Sequence, residues 1–218
     1  MSTEPTTASR TKLSLSEVLP FEFYQRPADE VAPDLLGKVL AVVATNDSAP
    51  HLARIVETEA YVGQDDLACH AAKGLTKRTS TIFGPPGHAY VYLIYGMYDM
   101  FNVVAERQGV PHAVLLRAVE LLDEPSAAAP RTSPESLANG PGKLTRALGL
   151  KRALHNGLPL DRPPLTIHDG EAPVDIEVTP RVGVAYAGTW ADAPLRYFDA
   201  GSSAVSRPSP RQLGSGRQ

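Results

Sequence analysis

A single α+β domain with an antiparallel or mixed β-sheet is the architecture the sequence predicts. Short β-branched or alternating runs follow one another through brief connections, helical signals are few, and no fixed period recurs. Of the 218 residues, 43% are hydrophobic and 21% charged. Those proportions are ordinary for a globular domain long enough to bury one substantial core.

The chain opens on a Ser-, Thr-, Pro- and Ala-rich stretch without an apolar block, which fits neither a secretory leader nor an anchor and reads as a flexible tail. A short helix closes at residues 34–37, and residues 38–44 (KVLAVVA) form a compact strand. Residues 52–62 (LARIVETEAYV) alternate with period two. Val56, Ala60 and Val62 then face one side, as core, while Glu57, Glu59 and Tyr61 face the other. A helix is expected over residues 66–73. Residues 89–95 (AYVYLIY) make a further strand, broken at Gly96, with residues 100–105 (MFNVVA) as its hairpin partner. Residues 113–120 (AVLLRAVE) form another strand, with a charge embedded at Arg117. Residues 125–140 read as an internal loop, and residues 141–148 as a helix with proline in its first turn. From Gly201 to Gln218 too few bulky apolar residues remain to repay ordering, so composition suggests a second tail. No stretch approaches the roughly 18 apolar residues of a membrane-spanning helix, and no membrane partner is expected.

With 21 Lys and Arg against 24 Asp and Glu, the net charge of −3 excludes a globally basic, indiscriminate nucleic-acid coat. The one cysteine, Cys69, rules out an internal disulfide and a multi-thiolate zinc site. A reducing, cytoplasmic setting without a targeting signal is the expectation. His51, His70, His88, His112, His155 and His168 form no metal-ligand spacing, so no metal is expected. Cys69 beside His70 is not a nucleophile–base pair, because successive helical residues point apart. The run Gly140-Pro141-Gly142-Lys143-Leu144 looks like a phosphate loop, but Leu137 and Leu144 stand where glycine and Ser/Thr belong. A helix start suited to a single phosphate is what survives.

Glu57 and Glu59 lie about 7 Å apart along one strand face, a spacing that can host a general base. A solvated sheet face is the plainer reading of two such acids, although the Tyr61 ring beside them suits a pocket wall better. The stretch FGPPGHAYVYLIYGMYDMFN, residues 83–102, crowds Tyr90, Tyr92, Tyr95 and Tyr98 into a chain that is only 6% aromatic. A packed aromatic core explains part of that crowding. It does not explain Tyr95, which adjoins the turn at Gly96 and is exposed unless something covers it. Residues 67–98 and 137–160 contain Lys73, Lys77, Arg78, Lys143, Arg146, Lys151 and Arg152 but no acid. Ordinary solvated charge is one reading. Together with an aromatic hairpin, the two basic stretches suggest a nucleic-acid surface with a ring available to enter a base stack.

These residues also carry a family resemblance. Arg54-Ile55-Val56-Glu57-Thr58-Glu59-Ala60-Tyr61, His70, the run Phe83 to Met97, Asn102, Val114-Leu115-Leu116-Arg117-Ala118, Gly140-Pro141-Gly142-Lys143-Leu144 and Arg181-Val182-Gly183-Val184 are similar, in order, to the 3-methyladenine (alkyladenine) DNA glycosylase family. The likeness sets the domain at residues 19–206, with flexible tails over 1–18 and 207–218. It implies a curved antiparallel sheet with a protruding hairpin, and neither metal nor organic cofactor. The implied partner is double-stranded DNA containing damaged purines; a monomer is expected, since a protein that clamps bent DNA needs no symmetry mate.

The resemblance also implies roles. Glu59 matches the general base that activates water, Arg117 helps hold that water, and the Val182 carbonyl is a further water ligand. Tyr61, His70, Tyr92 and Asn102 match the base pocket, with Asn102 crowding the exocyclic amine of normal guanine. Tyr95 matches the side chain that intercalates where a base has left. Lys73, Arg78, Gly140 and Lys143 are the candidates for DNA-backbone contacts. The expected enzyme is a monofunctional hydrolase that flips out alkylated or deaminated purines and leaves an abasic site. Thr79, where relatives often carry Asn, leaves substrate range open. A catalytically silent nucleic-acid-binding module and a nucleoside glycosidase are the alternatives. The first has little use for Glu59 with Arg117, the second none for Tyr95 or the basic stretches.

Overall fold

A computed structural model of the chain describes residues 15–43, 50–122 and 134–206. Most of both expected tails, Ala44 of the first expected strand, and residues 125–133 of the internal loop lie outside the described residues. Two short helices come first, α1 (Phe21–Tyr24) and α2 (Ala28–Asp34). Ala28, Val31, Ala32, Leu35 and Leu36 are all buried, the i, i+3, i+4, i+7, i+8 stripe of a one-sided helix and its exit. Gly37, at φ +83, turns the chain out of that helix.

Among the described residues, nine strands follow in one sheet: β1 (Val39–Val42), β2 (His51–Val62), β3 (Ala89–Ile94), β4 (Tyr98–Ala105), β5 (His112–Leu121), β6 (Asp161–Arg162), β7 (Leu165–His168), β8 (Ile176–Thr179) and β9 (Arg196–Asp199). Every pairing is antiparallel, in the order β3-β4-β5-β2-β1-β7-β6. One edge of β2 pairs with β5. The other is shared, His51 to Arg54 with β1 and Glu57 to Glu59 with β9, which in turn carries β8. This fork curls the sheet. The helices α3 (Pro134–Leu137), α4 (Pro141–Ala147) and α5 (Arg152–His155) complete the α+β domain. The α4 helix starts on proline as expected and buries Leu144.

One face of the sheet packs on the helices. Ile55, Ala60, Val91, Phe101, Val103, Val114 and Leu116 join the α2 residues and Leu144 in the main core. Their alternates, Glu57, Glu59, Tyr90, Asn102, Leu115 and Arg117, are on the opposite face.

The alternation of β2 is not unbroken. Its register against β5 runs Ile55↔Val119, Glu57↔Ala118, Thr58↔Leu116, which leaves Val56 and Arg117 unpaired. Two neighbouring bulges put consecutive residues on one face of each strand. Val56 therefore packs with Ala118 and Ala204, not with Ala60 in the main core as strict period two requires. Nor is the acidic face solvated: Glu57, Thr58 and Glu59 are all fully buried.

Other expectations also need correction. The helix over 66–73 is only one 3-10 turn, His70–Lys73, because the Asp66 carboxylate captures the N–H groups of Val62 and Ala68 and turns the chain first. Residues 201–206, tail-like by composition, end with Ala204, Val205 and Ser206 buried. Part of the stretch assigned to the N-terminal tail is also tied down: Val18 bridges His168, and Ser16 Oγ donates to Asp169 O at 2.6 Å.

Two glycines test this geometry. A Cβ on Gly37 would sit 2.0 Å from the Glu171 carbonyl oxygen, whereas one on Gly149, also at positive φ (+65), meets nothing within 4 Å. Gly149→Ala should cost the left-handed penalty alone, about 1–2 kcal/mol. Gly37→Ala adds a backbone clash and should cost about 3 kcal/mol or more. Urea unfolding of both variants measures the difference.

Candidate active site

A cavity of about 220 Å³ opens on the sheet face opposite the main core. Tyr61 of β2, Tyr90 and Tyr92 of β3, Asn102 of β4, and Leu115 and Arg117 of β5 line it, because alternate positions on adjacent strands converge there. His70 comes from the 3-10 turn, Pro141 from the start of α4, and Val182, Gly183, Val184 and Tyr186 from the loop between β8 and β9. Tyr95, at the hairpin tip, also borders it.

Behind this cavity lies a buried ionic network. Glu57 Oε1 accepts from Arg117 Nε at 2.9 Å, Arg196 Nε at 2.7 Å and Ser206 Oγ at 2.8 Å, while Oε2 accepts the Ser206 N–H at 2.6 Å. Burial alone would raise the Glu57 pKa, but Arg117, Arg196 and the two bonds from Ser206 outweigh it and hold the carboxyl below its usual range. Arg117 extends the network, with Nη1 3.2 Å from Glu59 Oε1 and Nη2 donating to Ser206 Oγ at 3.2 Å. Two carboxylates thus face two guanidiniums, so the network carries no net formal charge.

Glu59 itself is held from three directions. The Val182 N–H donates to Oε1 at 2.7 Å, beside Arg117, and the Tyr61 hydroxyl donates to Oε2 at 2.9 Å. A carboxylate has about four acceptor positions, so one remains for a further donor. A second ion pair anchors the loop that supplies Val182. Arg181 grips Asp66 through both terminal nitrogens, donates from Nη1 to Ala60 O at 2.9 Å, and lies over the Tyr61 ring at 4.7 Å.

Apart from Arg117, the cavity is walled largely by the rings of Tyr61, His70, Tyr90 and Tyr92, all neutral at neutral pH. His70 Nδ1 is 3.0 Å from the Tyr90 hydroxyl, and its ring meets Tyr92 edge-on at 4.5 Å. Burial, aided by Arg78 and Lys73, lowers the His70 pKa to about 4. Burial also raises the Tyr90 pKa to about 12 and moves that of Tyr92 upward. The Tyr61 hydroxyl is raised well above its ordinary value by burial and by Glu59. Asn102 is fixed to the wall, its Nδ2 donating to Tyr90 O at 3.0 Å.

The hairpin tip is the most exposed part of the site. Tyr95 is 86% exposed, at φ +52, with Met97 and Tyr98 uncovered beside it. Arg78 lies 5.6 Å from the Tyr92 ring centre. With Lys77, Arg152 and Asn156 it lines a neighbouring groove of about 500 Å³, for which Tyr92 is the shared wall. Lys73 and Lys143 are exposed, Gly140 is half-buried at the start of α4, and Lys143 Nζ donates to Asn139 Oδ1 at 2.7 Å.

The structure thus brings Glu59, Tyr61, His70, Tyr92, Tyr95, Asn102, Arg117 and Val182 to one site. Lys73, Arg78, Gly140 and Lys143 adjoin it in sequence or space. Val182 donates its N–H to Glu59. Sequence reasoning missed Arg196, Ser206, Asp66 and the exposed ring of Tyr186. Only the pairing of β9 with β2 makes Arg196 and Ser206 legible. Among the described residues, no group of His, Cys, Asp and Glu could hold a metal ion.

The chain is also similar in sequence to known proteins. The family model for methylpurine-DNA glycosylase matches residues 22–203. A protein of Methanocella arvoryzae, provisionally named 3-methyladenine DNA glycosylase, is 47% identical over 200 residues, covering 90% of this chain and 99% of its own. A namesake from Myxococcus xanthus is 50% identical over 194 residues, 88% of this chain and 95% of its own. One from Legionella pneumophila is 44% identical over 191 residues, 87% and 98% respectively.

Two outcomes follow from the electrostatics. Glu57→Gln leaves two buried guanidiniums under-compensated and should cost about 3–5 kcal/mol near neutral pH. Because the fold lowers the Glu57 pKa, its contribution is full above about 4.5 and is lost as pH falls through the lower folded value. The gap to the parent in denaturant titrations should therefore narrow with acid. His70 works in the same direction with pH, since the fold favours its deprotonated, neutral ring. Its share is full above 6.5 and declines as pH falls toward about 4, and imidazole resonances should titrate near that lower value.

Proposed function

Because the chain belongs to the methylpurine-DNA glycosylase family, we propose that it hydrolyses the N-glycosidic bond of alkylated purines in duplex DNA, 3-methyladenine among them, and leaves an abasic site. The observation that carries the reading is the Glu59 carboxylate, buried on three donors behind an aromatic cavity whose mouth bears the exposed Tyr95.

A base inside a duplex is out of reach of Glu59, so it is turned out into the cavity at a cost of a few kcal/mol, least where pairing is already weak. Tyr95 offsets part of that cost by filling the gap. The faces of Tyr92 and Tyr61 and the His70 ring, all lining the cavity, receive the base in this reading, and Asn102 beside them crowds the exocyclic amine of an unmodified guanine. N-alkylation puts positive charge on the purine and makes it a good leaving group. A water takes the fourth acceptor position on Glu59 and attacks C1′, its proton passes to Glu59, and the electron pair of the C1′–N bond leaves with the base. The anionic carboxylate stabilises the cation developing on the sugar, and Arg117 helps orient the water.

Deaminated purines such as hypoxanthine are further substrates in this reading. The described lining residues include no lysine, which favours simple hydrolysis over a Schiff base with the sugar and hence no strand cleavage. In this reading the enzyme acts as a monomer, since a protein that clamps bent DNA needs no symmetry mate.

Duplexes carrying 3-methyladenine, 7-methylguanine, ethenoadenine or hypoxanthine, incubated without added metal and then treated with alkali, provide the test. Abasic sites should appear for at least one lesion; their absence for all four overturns the reading. Glu59→Gln should slow release by about 10²-fold or more while lesion binding persists. Tyr95→Ala should weaken lesion binding.

A further inference from the structure

Resting on the glycosylase reading, we infer that Ser206 is a positioning residue for hydrolysis: its hydroxyl locks the Arg117 guanidinium in the orientation that meets Glu59.

Every polar atom of Ser206 belongs to the ionic network. Its N–H and Oγ both donate to Glu57, at 2.6 and 2.8 Å, and its carbonyl oxygen lies 3.4 Å from Arg196 Nη2. The hydroxyl also accepts from Arg117 Nη2 at 3.2 Å. A directed chain results, from Arg117 Nη2 to Ser206 Oγ to Glu57 Oε1. The Nε and Nη2 edge of the guanidinium is thereby committed to Glu57 and Ser206, and Nη1 is turned to Glu59. A rotation of the guanidinium about its terminal bonds, which one bond to Glu57 would permit, breaks the Ser206 contact.

The surrounding chain has the form of a strap across the double bulge. After β9, Ser202 Oγ donates to Glu120 Oε1 at 2.6 Å and accepts the Ala204 N–H at 3.1 Å. Ala204 then packs on Val56 and Ala118, the residues the bulges displace to that face. The strap thus covers the irregularity that releases Arg117 from strand pairing, and Ser206 supplies the polar contact there. This arrangement acts on catalysis through Arg117 and Glu57; Ser206 is absent from the cavity lining.

Ser206→Ala keeps the backbone N–H on Glu57 and removes only the hydroxyl. At saturating enzyme, single-turnover base release should fall about ten-fold, the scale of one lost hydrogen bond in a preorganised site. Affinity for lesion DNA, measured in the Glu59→Gln background, should stay within about two-fold. Ser206→Cys, with a weak donor in similar volume, should fall between. The decisive readout is coupling: in an Arg117→Gln background, Ser206→Ala should change the rate little further, whereas a merely structural role predicts independent losses. A parent-like rate in Ser206→Ala, or losses that multiply independently, overturns the inference and leaves the glycosylase reading standing. A parent that releases no base takes both down.

Discussion

The buried Glu57 carboxylate is the point on which the site depends. It bonds to Arg117 from β5, Arg196 from β9 and Ser206 beyond β9, so three stretches distant in sequence are tied to β2 at one atom group. A buried ion pair is weak evidence for net stability, since desolvation offsets much of the attraction. Its value here is geometric. The paired bulges of β2 and β5 give both side chains the same face, and with Arg117 held by Glu57 and Ser206 together its far end is directed toward Glu59.

Division of labour between the two acids follows from their neighbours. Glu57 has two guanidiniums and both donors of Ser206, and it is fully engaged. Glu59 has softer partners, a main-chain N–H and a tyrosine hydroxyl besides one guanidinium nitrogen. The cavity in front of it is walled by neutral rings, with His70 deprotonated and the tyrosines protonated at neutral pH. Under the proposed reading, such walls suit a cationic purine, because aromatic faces attract positive charge and no resident cation on the walls other than Arg117 opposes it.

The helical and hairpin parts were legible in the sequence to the extent that local rules govern them. Proline at the start of α4, the β-branched runs of β1 and β5, and the Gly96 turn between β3 and β4 behave as their residue types dictate. Where a side chain overrules the backbone, local reading fails. Asp66 turns the chain and leaves one 3-10 turn where periodicity suggests a helix. The short strands β6 to β9 carry too few residues for a period to show, and β8 alternates exposed and half-buried positions at an edge. For the site, motif likeness brought the cavity residues together, while Ser206 stayed hidden in a Gly- and Ser-rich stretch. Its burial is decided by a carboxylate almost 150 positions earlier, a separation of 149 residues.

Tyr95 has a backbone that its side chain disfavours. A bulky residue at φ +52 costs roughly 1–2 kcal/mol that glycine or asparagine would largely avoid. Replacements that relax the hairpin tip therefore stabilise the free protein while removing the ring that, under the proposed reading, enters DNA. Under that reading, selection for thermal robustness and selection for damage recognition pull in opposite directions at this position. A laboratory search for more stable variants, scored on folding alone, would be drawn to this tip and would erode activity there.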